Sequence, residues 1–403
     1  MATAGHDPGI MSMAKDPLSG IPAWVDEEAV LRPLAEDEDE LLGGRVVDEA
    51  VAAISACPQY VPTPLQSLVK LASELRLGAV WLKNESTRFG LQSFKALGGA
   101  YAVLVHVARQ AGVTLSEFDP AGGREKSTAS GMAFCAATDG NHGRAVAAGA
   151  RLAGARCVIY VHEGVKESRR ETLRDLGAEV HVVPGDYDDA VRACAAAAVD
   201  HGWIKVADTA VPGEDVSTPA LVMQGYGVMV REALAQMAPQ VPTHMFVQAG
   251  VGGLAAAVVA VMAEAGLADS RVVIVEPTKA ACLLEAARRG TPVELSGDIE
   301  TNMAMLSCGR VSEVAWRILE GRVHAYVAVD DADALAAARR LALAEGGGHA
   351  VLGISGAAGV AGLIAVREEE ALSRAIGLDE NSRVLLFGTE ADIENDLGRR
   401  PEQ

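Results

Sequence analysis

His244-Met245-Phe246-Val247-Gln248-Ala249-Gly250-Val251-Gly252-Gly253-Leu254 runs from an apolar β-type stretch, through three glycines, into an alanine-rich helical stretch. Strand, glycine turn and helix in that order are the grammar of a βαβ unit and a largely parallel sheet. Glycines let the backbone approach an anion closely, and a helix start offers free N–H donors with a favourable dipole. A phosphate group suits such a turn. It is not a P-loop, because no Gly-Lys-Ser/Thr follows. Ala255 stands in the third position of a GxGxxG/A fingerprint and Glu276 ends the next strand, so the turn alone also suits a dinucleotide.

The same alternation continues on both sides. Apolar β-runs are expected at Ala79–Lys83, Met132–Ala136, Arg156–Val161, Glu179–Val183, Trp203–Val206, Val272–Glu276, Ala325–Val329 and Arg383–Phe387. Helical patterns are expected at Leu65–Leu75, from Ser93 to about Ala111, at Gly143–Ala153 and at Asp188–Val199. Glu117–Ser127 reads as an exposed loop, and residues 1–20, rich in Gly, Pro and Ala, as a disordered lead-in. The acidic run Glu36-Asp37-Glu38-Asp39-Glu40 reads as a solvated surface. Single cores stop growing at roughly 250–300 residues, so 403 residues favour two lobes.

Composition narrows the function classes. The formal net charge is −19, with six Phe, four Trp and six Tyr, which disfavours nucleic acid and anionic membranes. The longest apolar run, Ala249–Ala263, is shorter than the roughly 18 residues of a spanning helix. No basic, apolar secretory leader opens the chain. Six cysteines without a CxxC pair give neither a disulfide scaffold nor a metal site, and a cytoplasmic location is expected.

Two further stretches carry chemistry. Ala137-Thr138-Asp139-Gly140-Asn141-His142-Gly143 follows a strand and precedes a helix. A helix cap needs one polar side chain; four around two glycines suggest ligand recognition. In Gly90-Leu91-Gln92-Ser93-Phe94-Lys95-Ala96-Leu97-Gly98-Gly99, Lys95 lies between apolar neighbours at a helix start. Most lysines are solvated, but one in an apolar site has a lowered pKa and becomes a nucleophilic amine suited to Schiff-base chemistry.

Taken in order, Ser93-Phe94-Lys95, the Thr138–Gly143 loop and Gly250-Val251-Gly252-Gly253 resemble the motifs of pyridoxal-phosphate enzymes of the tryptophan-synthase β-like fold (fold type II). Threonine and serine dehydratases belong to that group. Over roughly residues 60–390 the chain resembles the diaminopropionate ammonia-lyases. The resemblance rests on Arg88-Phe89-Gly90-Leu91, Phe94-Lys95-Ala96-Leu97-Gly98, Ala137–Arg144, Met223-Gln224-Gly225-Tyr226-Gly227, Val275-Glu276-Pro277, Met303–Gly309, Ser355–Gly359 and Thr389-Glu390. Ala391 departs from it, standing where the family carries glycine.

The resemblance implies a two-lobed α/β fold with parallel sheets flanked by helices. Residues 21–96 and 207–403 would form the large cofactor-binding domain, and 97–206 a smaller inserted one. Pyridoxal 5'-phosphate would be held as a Schiff base by Lys95 beside Phe94, with its phosphate on the amides of Gly250, Val251, Gly252, Gly253 and Leu254. Asn141 would meet the ring hydroxyl and Thr389 the pyridine nitrogen. Thr138, Asp139, Gly140, Asn141 and His142 would clasp the substrate carboxylate. Asp139 and Asp208 would face a second ammonium on the β-carbon, with Lys95 as base for the L isomer and Asp139 for the D isomer. The implied reaction is α,β-elimination of 2,3-diaminopropionate through an aminoacrylate to pyruvate and two ammonia, in a homodimer. A threonine or serine dehydratase would share Lys95, Asn141 and the glycine turn without needing the two aspartates. A catalytically silent pyridoxal-phosphate or nucleotide-binding protein is the alternative of another class.

Overall fold

The computed structural model describes residues 20–393 and Leu397, apart from 120, 121, 139, 212 and 345–348. The expected lead-in therefore lies, save Gly20, outside the described residues. Eleven strands are found among those described: β1 (Ala23–Val25), β2 (Leu65–Ser67), β3 (Ala79–Asn84), β4 (Ala133–Ala137), β5 (Arg156–His162), β6 (Glu179–Val183), β7 (Ile204–Lys205), β8 (His244–Gln248), β9 (Arg271–Pro277), β10 (Ala325–Val329) and β11 (Arg383–Gly388). They form a seven-stranded sheet, β1-β10-β9-β8-β11-β3-β2, and a four-stranded sheet, β6-β5-β4-β7. The four-stranded sheet is parallel throughout. In the larger sheet the five inner strands are parallel, and β1 and β2 close its edges antiparallel. Sheets covered on both faces need uninterrupted apolar strands. Accordingly every residue of β8 and β10 is buried. This is an α/β fold of parallel sheets flanked by helices.

β8 occupies the middle of the larger sheet, so the glycine turn leaves from its carboxyl end, where ligands gather in open α/β sheets. The helix Lys95–Ala111 packs against two others, Ser217–Met237 and Asn141–Ala153. Glycine permits both approaches: a Cβ on Gly225 would lie 2.2 Å from the Leu97 carbonyl oxygen, and one on Gly149 2.7 Å from the Ala100 Cα. The lysine-bearing helix thus joins the layers that cover the two sheets.

Two local expectations are corrected and a third is refined. Leu65–Leu75 is not one helix: Leu65, Gln66 and Ser67 pair with Lys83, Leu82 and Trp81, and only Val69–Glu74 is helical. The loop at 117–127 gives way to a helix at Gly123–Ser130. The acidic run forms the helix Glu36–Leu42 and is exposed as expected except at Glu38, which turns inward. Glu38 Oε2 accepts from the Ala35 amide at 2.7 Å and from Arg322 at 2.5 Å, and Arg322 is buried.

Candidate active site

Lys95 opens its helix after a tight approach. Phe89 (φ 50°), Gly90 (69°) and Gln92 (61°) are left-handed, a costly conformation for the two non-glycine residues. Buried Arg88 anchors the approach, bonding Glu85 from Nε at 2.7 Å and Glu232 from Nη1 and Nη2 at 2.8 Å. Glu232 lies on the same helix as Tyr226. The Tyr226 ring packs 4.6 Å from that of Phe94, and Lys95 Nζ lies 5.4 Å from the Phe94 centroid and 5.5 Å from that of Tyr226.

The apolar surroundings of Lys95 do not set its proton affinity. Lys95 Nζ bonds Asp208 Oδ2 at 2.5 Å, with the two side chains 22% and 24% exposed. Burial is the largest single influence and acts to lower the lysine, but the Asp208 carboxylate outweighs it, so the ammonium is held above its ordinary range. The expectation of a lowered pKa is corrected on this point. Asp208 is held well below the carboxylate range, because the Lys95 ammonium overcomes the opposing effect of burial. The pair is an ammonium–carboxylate couple whose proton can be shared within one hydrogen bond.

Beside it lies the glycine turn. The helix Gly253–Glu264 starts after Gly252, whose φ is +97°. Its first amides have no intrahelical acceptor. A Cβ on Gly253 would lie 3.8 Å from the Asp208 carbonyl oxygen, so the turn and the lysine pair share one wall. Cys308 and Cys282 flank the turn as free thiols, the latter donating to the Gly250 carbonyl at 3.5 Å. Burial, with Asp208 beside it, pushes the Cys308 thiol up to about 12.

β11 delivers Thr389 to the same place. The Phe94 amide donates to the Thr389 carbonyl at 3.0 Å, and the Thr389 hydroxyl accepts from Gln248 Nε2 at 3.0 Å. From the loop after β4, Asn141 Nδ2 donates to Glu390 Oε2. Thr138 is buried, its hydroxyl accepting from the Gly140 amide at 3.3 Å. His142 turns toward the chain, donating from Nε2 to the Val206 carbonyl at 2.8 Å. Burial, the leading cause, lowers its pKa and keeps the ring neutral. Asp139 lies outside the described residues. A cleft of about 200 Å³ opens between the two sheets' flanks, lined by Gly140, Asn141, Arg144, Met305, Ser355 and Glu390 among others.

Lys95, Phe94, Asp208, Asn141, Thr389 and the turn at 250–254 therefore converge. Sequence reasoning passed over Tyr226, Cys308 and Glu390 as site residues, although all three stand in the motif blocks. Their chemistry comes from neighbours far along the chain.

Parallel sheets, a paired lysine at a helix start and a glycine turn at the centre of the larger sheet define a pyridoxal-phosphate-dependent enzyme, and residues 57–388 match the family described as pyridoxal-phosphate dependent enzyme. The diaminopropionate ammonia-lyase of Salmonella typhimurium is 36% identical over 371 residues, covering 89% of this chain and 92% of that one. The crystal structure of the Escherichia coli diaminopropionate ammonia-lyase with an aminoacrylate-PLP azomethine reaction intermediate superposes with a TM-score of 0.82 at 31% identity, covering 93% of this chain and 94% of that one. An L-threonine dehydratase of Haemophilus influenzae is more distant, 30% identical over 75% of this chain and 52% of its own length. The chain belongs to the diaminopropionate ammonia-lyase family of pyridoxal-phosphate-dependent enzymes.

The residues present fit that cofactor. Tyr226 Oη and His142 Nδ1 are buried around Lys95 with no hydrogen-bond partner among the described residues. Orphaned buried polar atoms are costly unless a polar group completes them. The left-handed Gly252 and the open helix start supply amide donors for a phosphate.

Proposed function

We propose that this chain eliminates ammonia from 2,3-diaminopropionate and that water hydrolyses the resulting aminoacrylate, giving pyruvate and the second ammonia. The Lys95–Asp208 pair beside the glycine turn carries the reading, in a chain of this family. Pyridoxal phosphate, when bound, withdraws electrons from the substrate α-carbon and so eases loss of its proton. The amides of Gly250, Val251, Gly252, Gly253 and Leu254 would hold the phosphate, Phe94 would flank the ring, Asn141 would meet the ring hydroxyl and Thr389 the pyridine nitrogen. A hydroxyl there, unlike a carboxylate, does not enforce protonation of that nitrogen, which suits elimination.

Thr138, Asp139, Gly140, Asn141 and His142 would form the wall that receives the substrate carboxylate. Asp208, held as a carboxylate, accepts from Lys95 Nζ at 2.5 Å and would orient it toward the substrate α-carbon. Lys95 Nζ then removes the α-proton of the L isomer, and Asp139 that of the D isomer. The C–H electrons become the Cα=Cβ bond as the Cβ–N bond breaks. The substrate's second ammonium asks for carboxylates beside the β-carbon, the role given to Asp208 and Asp139. A hydroxyl in its place, as in serine or threonine, asks for none.

The organisation proposed around this site is a large domain at 21–96 and 207–403, a smaller one at 97–206, and a homodimer in the cytoplasm. Six free cysteines suit a reducing compartment. Among the described residues no helix is long and apolar enough to cross a membrane.

The test is a substrate panel on the purified holoprotein. Pyruvate release from diaminopropionate should exceed that from serine and threonine by on the order of 10²-fold, and borohydride should fix the chromophore to Lys95. A preference for threonine would make the enzyme a dehydratase. A colourless protein, or one whose colour survives Lys95→Ala, would sink the scheme.

A further inference from the structure

Glu390 stands one residue beyond Thr389, in an antiparallel bridge with Ser93, two residues before Lys95. It is about nine-tenths buried. Across the cleft its Oε2 accepts from Asn141 Nδ2, while Arg144 Nη1 donates to Asn141 Oδ1 at 3.3 Å. All three side chains line the same opening. A carboxamide has donors on nitrogen and lone pairs on oxygen, and a half-turn exchanges them. With a carboxylate on one side and a guanidinium on the other, a single orientation satisfies both.

We infer that Glu390 is a positioning residue: it fixes the orientation of the Asn141 carboxamide and hence the donor that Asn141 presents to the cofactor ring. This rests on the role given to Asn141 under the proposed function. The coupling is proton-dependent. A carboxylate only accepts and holds the observed orientation, whereas a protonated Glu390 also offers an O–H and weakens that hold. Charged and polar groups surround Glu390 on every side. Asn141 and Arg144 come from one helix, Arg169 from Glu167–Asp175, Ser355 from Ile354–Glu368, Lys95 from its own helix, and Asp392 from the same strip. Burial raises the Glu390 carboxyl to about 7 against the lowering effects of Asn141, Arg169, Ser355 and Lys95. The hold on the amide is therefore strongest when Glu390 is ionised and weakens as it takes up its proton.

The first test needs no cofactor. In the ¹⁵N-labelled full chain, the side-chain amide resonance of Asn141, identified by its loss in Asn141→Ala, should titrate with a midpoint near 7. In Glu390→Gln, which keeps an accepting oxygen but cannot ionise, it should stay constant. In the holoenzyme, wild-type kcat should rise about tenfold from pH 6 to pH 8 and that of Glu390→Gln should be flat, with KM changed less than about threefold. In an Asn141→Ala background, Glu390→Gln should alter kcat by less than about twofold, since the two act as one unit. A wild-type amide without inflection, or additive losses in the double variant, overturns the inference. A chain whose amide titrates as described but which releases no pyruvate from diaminopropionate supports the coupling and overturns the functional reading instead.

Discussion

Lys95 is held by two opposed influences, and separating them is a test at the scale of one residue. Burial disfavours the ammonium and the Asp208 carboxylate favours it, with the second prevailing. In Asp208→Asn the carboxylate is gone and burial acts unopposed. Amine-selective labelling of Lys95 in the cofactor-free chain should then move to lower pH by more than about one unit, while kcat falls by on the order of 10² or more. A labelling profile identical to wild type would mean that Asp208 does not hold the lysine's proton. The motif around Lys95 was legible because its residues adjoin in the chain. The pairing was not, because Asp208 is 113 residues away along the chain.

Among elements, the contacts of the lysine helix are set by backbone approach rather than by side-chain volume. A methyl on Gly225 would lie 2.2 Å from the Leu97 carbonyl, an atom that cannot rotate away. Gly225→Ala is therefore expected to cost about 3 kcal/mol, at the upper end for overpacking. It should also lower kcat in the folded fraction, because Leu97 is two residues from Lys95. Gly266→Ala is the control. No atom lies within 4 Å of its Cβ position, and only its φ of +69° is strained, so about 1–2 kcal/mol and unchanged kcat are expected. Urea unfolding midpoints check the costs, and equal losses in the two variants would refute the packing argument. Periodicity located β6, β8 and β10 to the residue, since each is a short run rich in β-branched or aromatic residues with sharp ends. It misread Leu65–Ser67 because Leu65, Leu68, Leu71 and Leu75 keep a helical spacing, and pairing with β3 overrode it.

Over the whole molecule, the net charge of −19 was plain in the sequence, but not which charges lie inside. Lys83, Glu85, Arg88 and Glu232 form a buried balanced cluster, with Lys83 Nζ 2.6 Å from Glu232 Oε2. Such groups decide how stability depends on pH. For Glu232, Glu38 and Asp208, burial pushes the carboxyl up but the paired cations prevail, so each pKa is depressed. Their contribution is complete above the unfolded carboxyl pKa of about 4 and is lost as pH falls through the folded values. Glu390 and Glu276 behave oppositely, raised by burial to about 7 and about 8. Their contribution is fully present below the unfolded carboxyl pKa of about 4 and is lost progressively as pH rises from there through those values. Surface self-repulsion also grows with pH above the isoelectric point of about 4.9. His142, His244, His106 and His324, each lowered by burial, gain stability as pH rises to the unfolded imidazole pKa of about 6.5, so the cofactor-free chain should melt highest between about pH 5 and 6.5, with a steep acid limb and a gradual alkaline decline. Glu232→Gln leaves Lys83 and Arg88 facing one carboxylate, which should cost about 3–5 kcal/mol at pH 6 and much less at pH 3. Thermal midpoints from pH 3 to 9, at low and moderate salt, measure both limbs. A wild-type midpoint still rising at pH 8.5 would show that the raised carboxyls and the surface charge do not govern stability above neutrality.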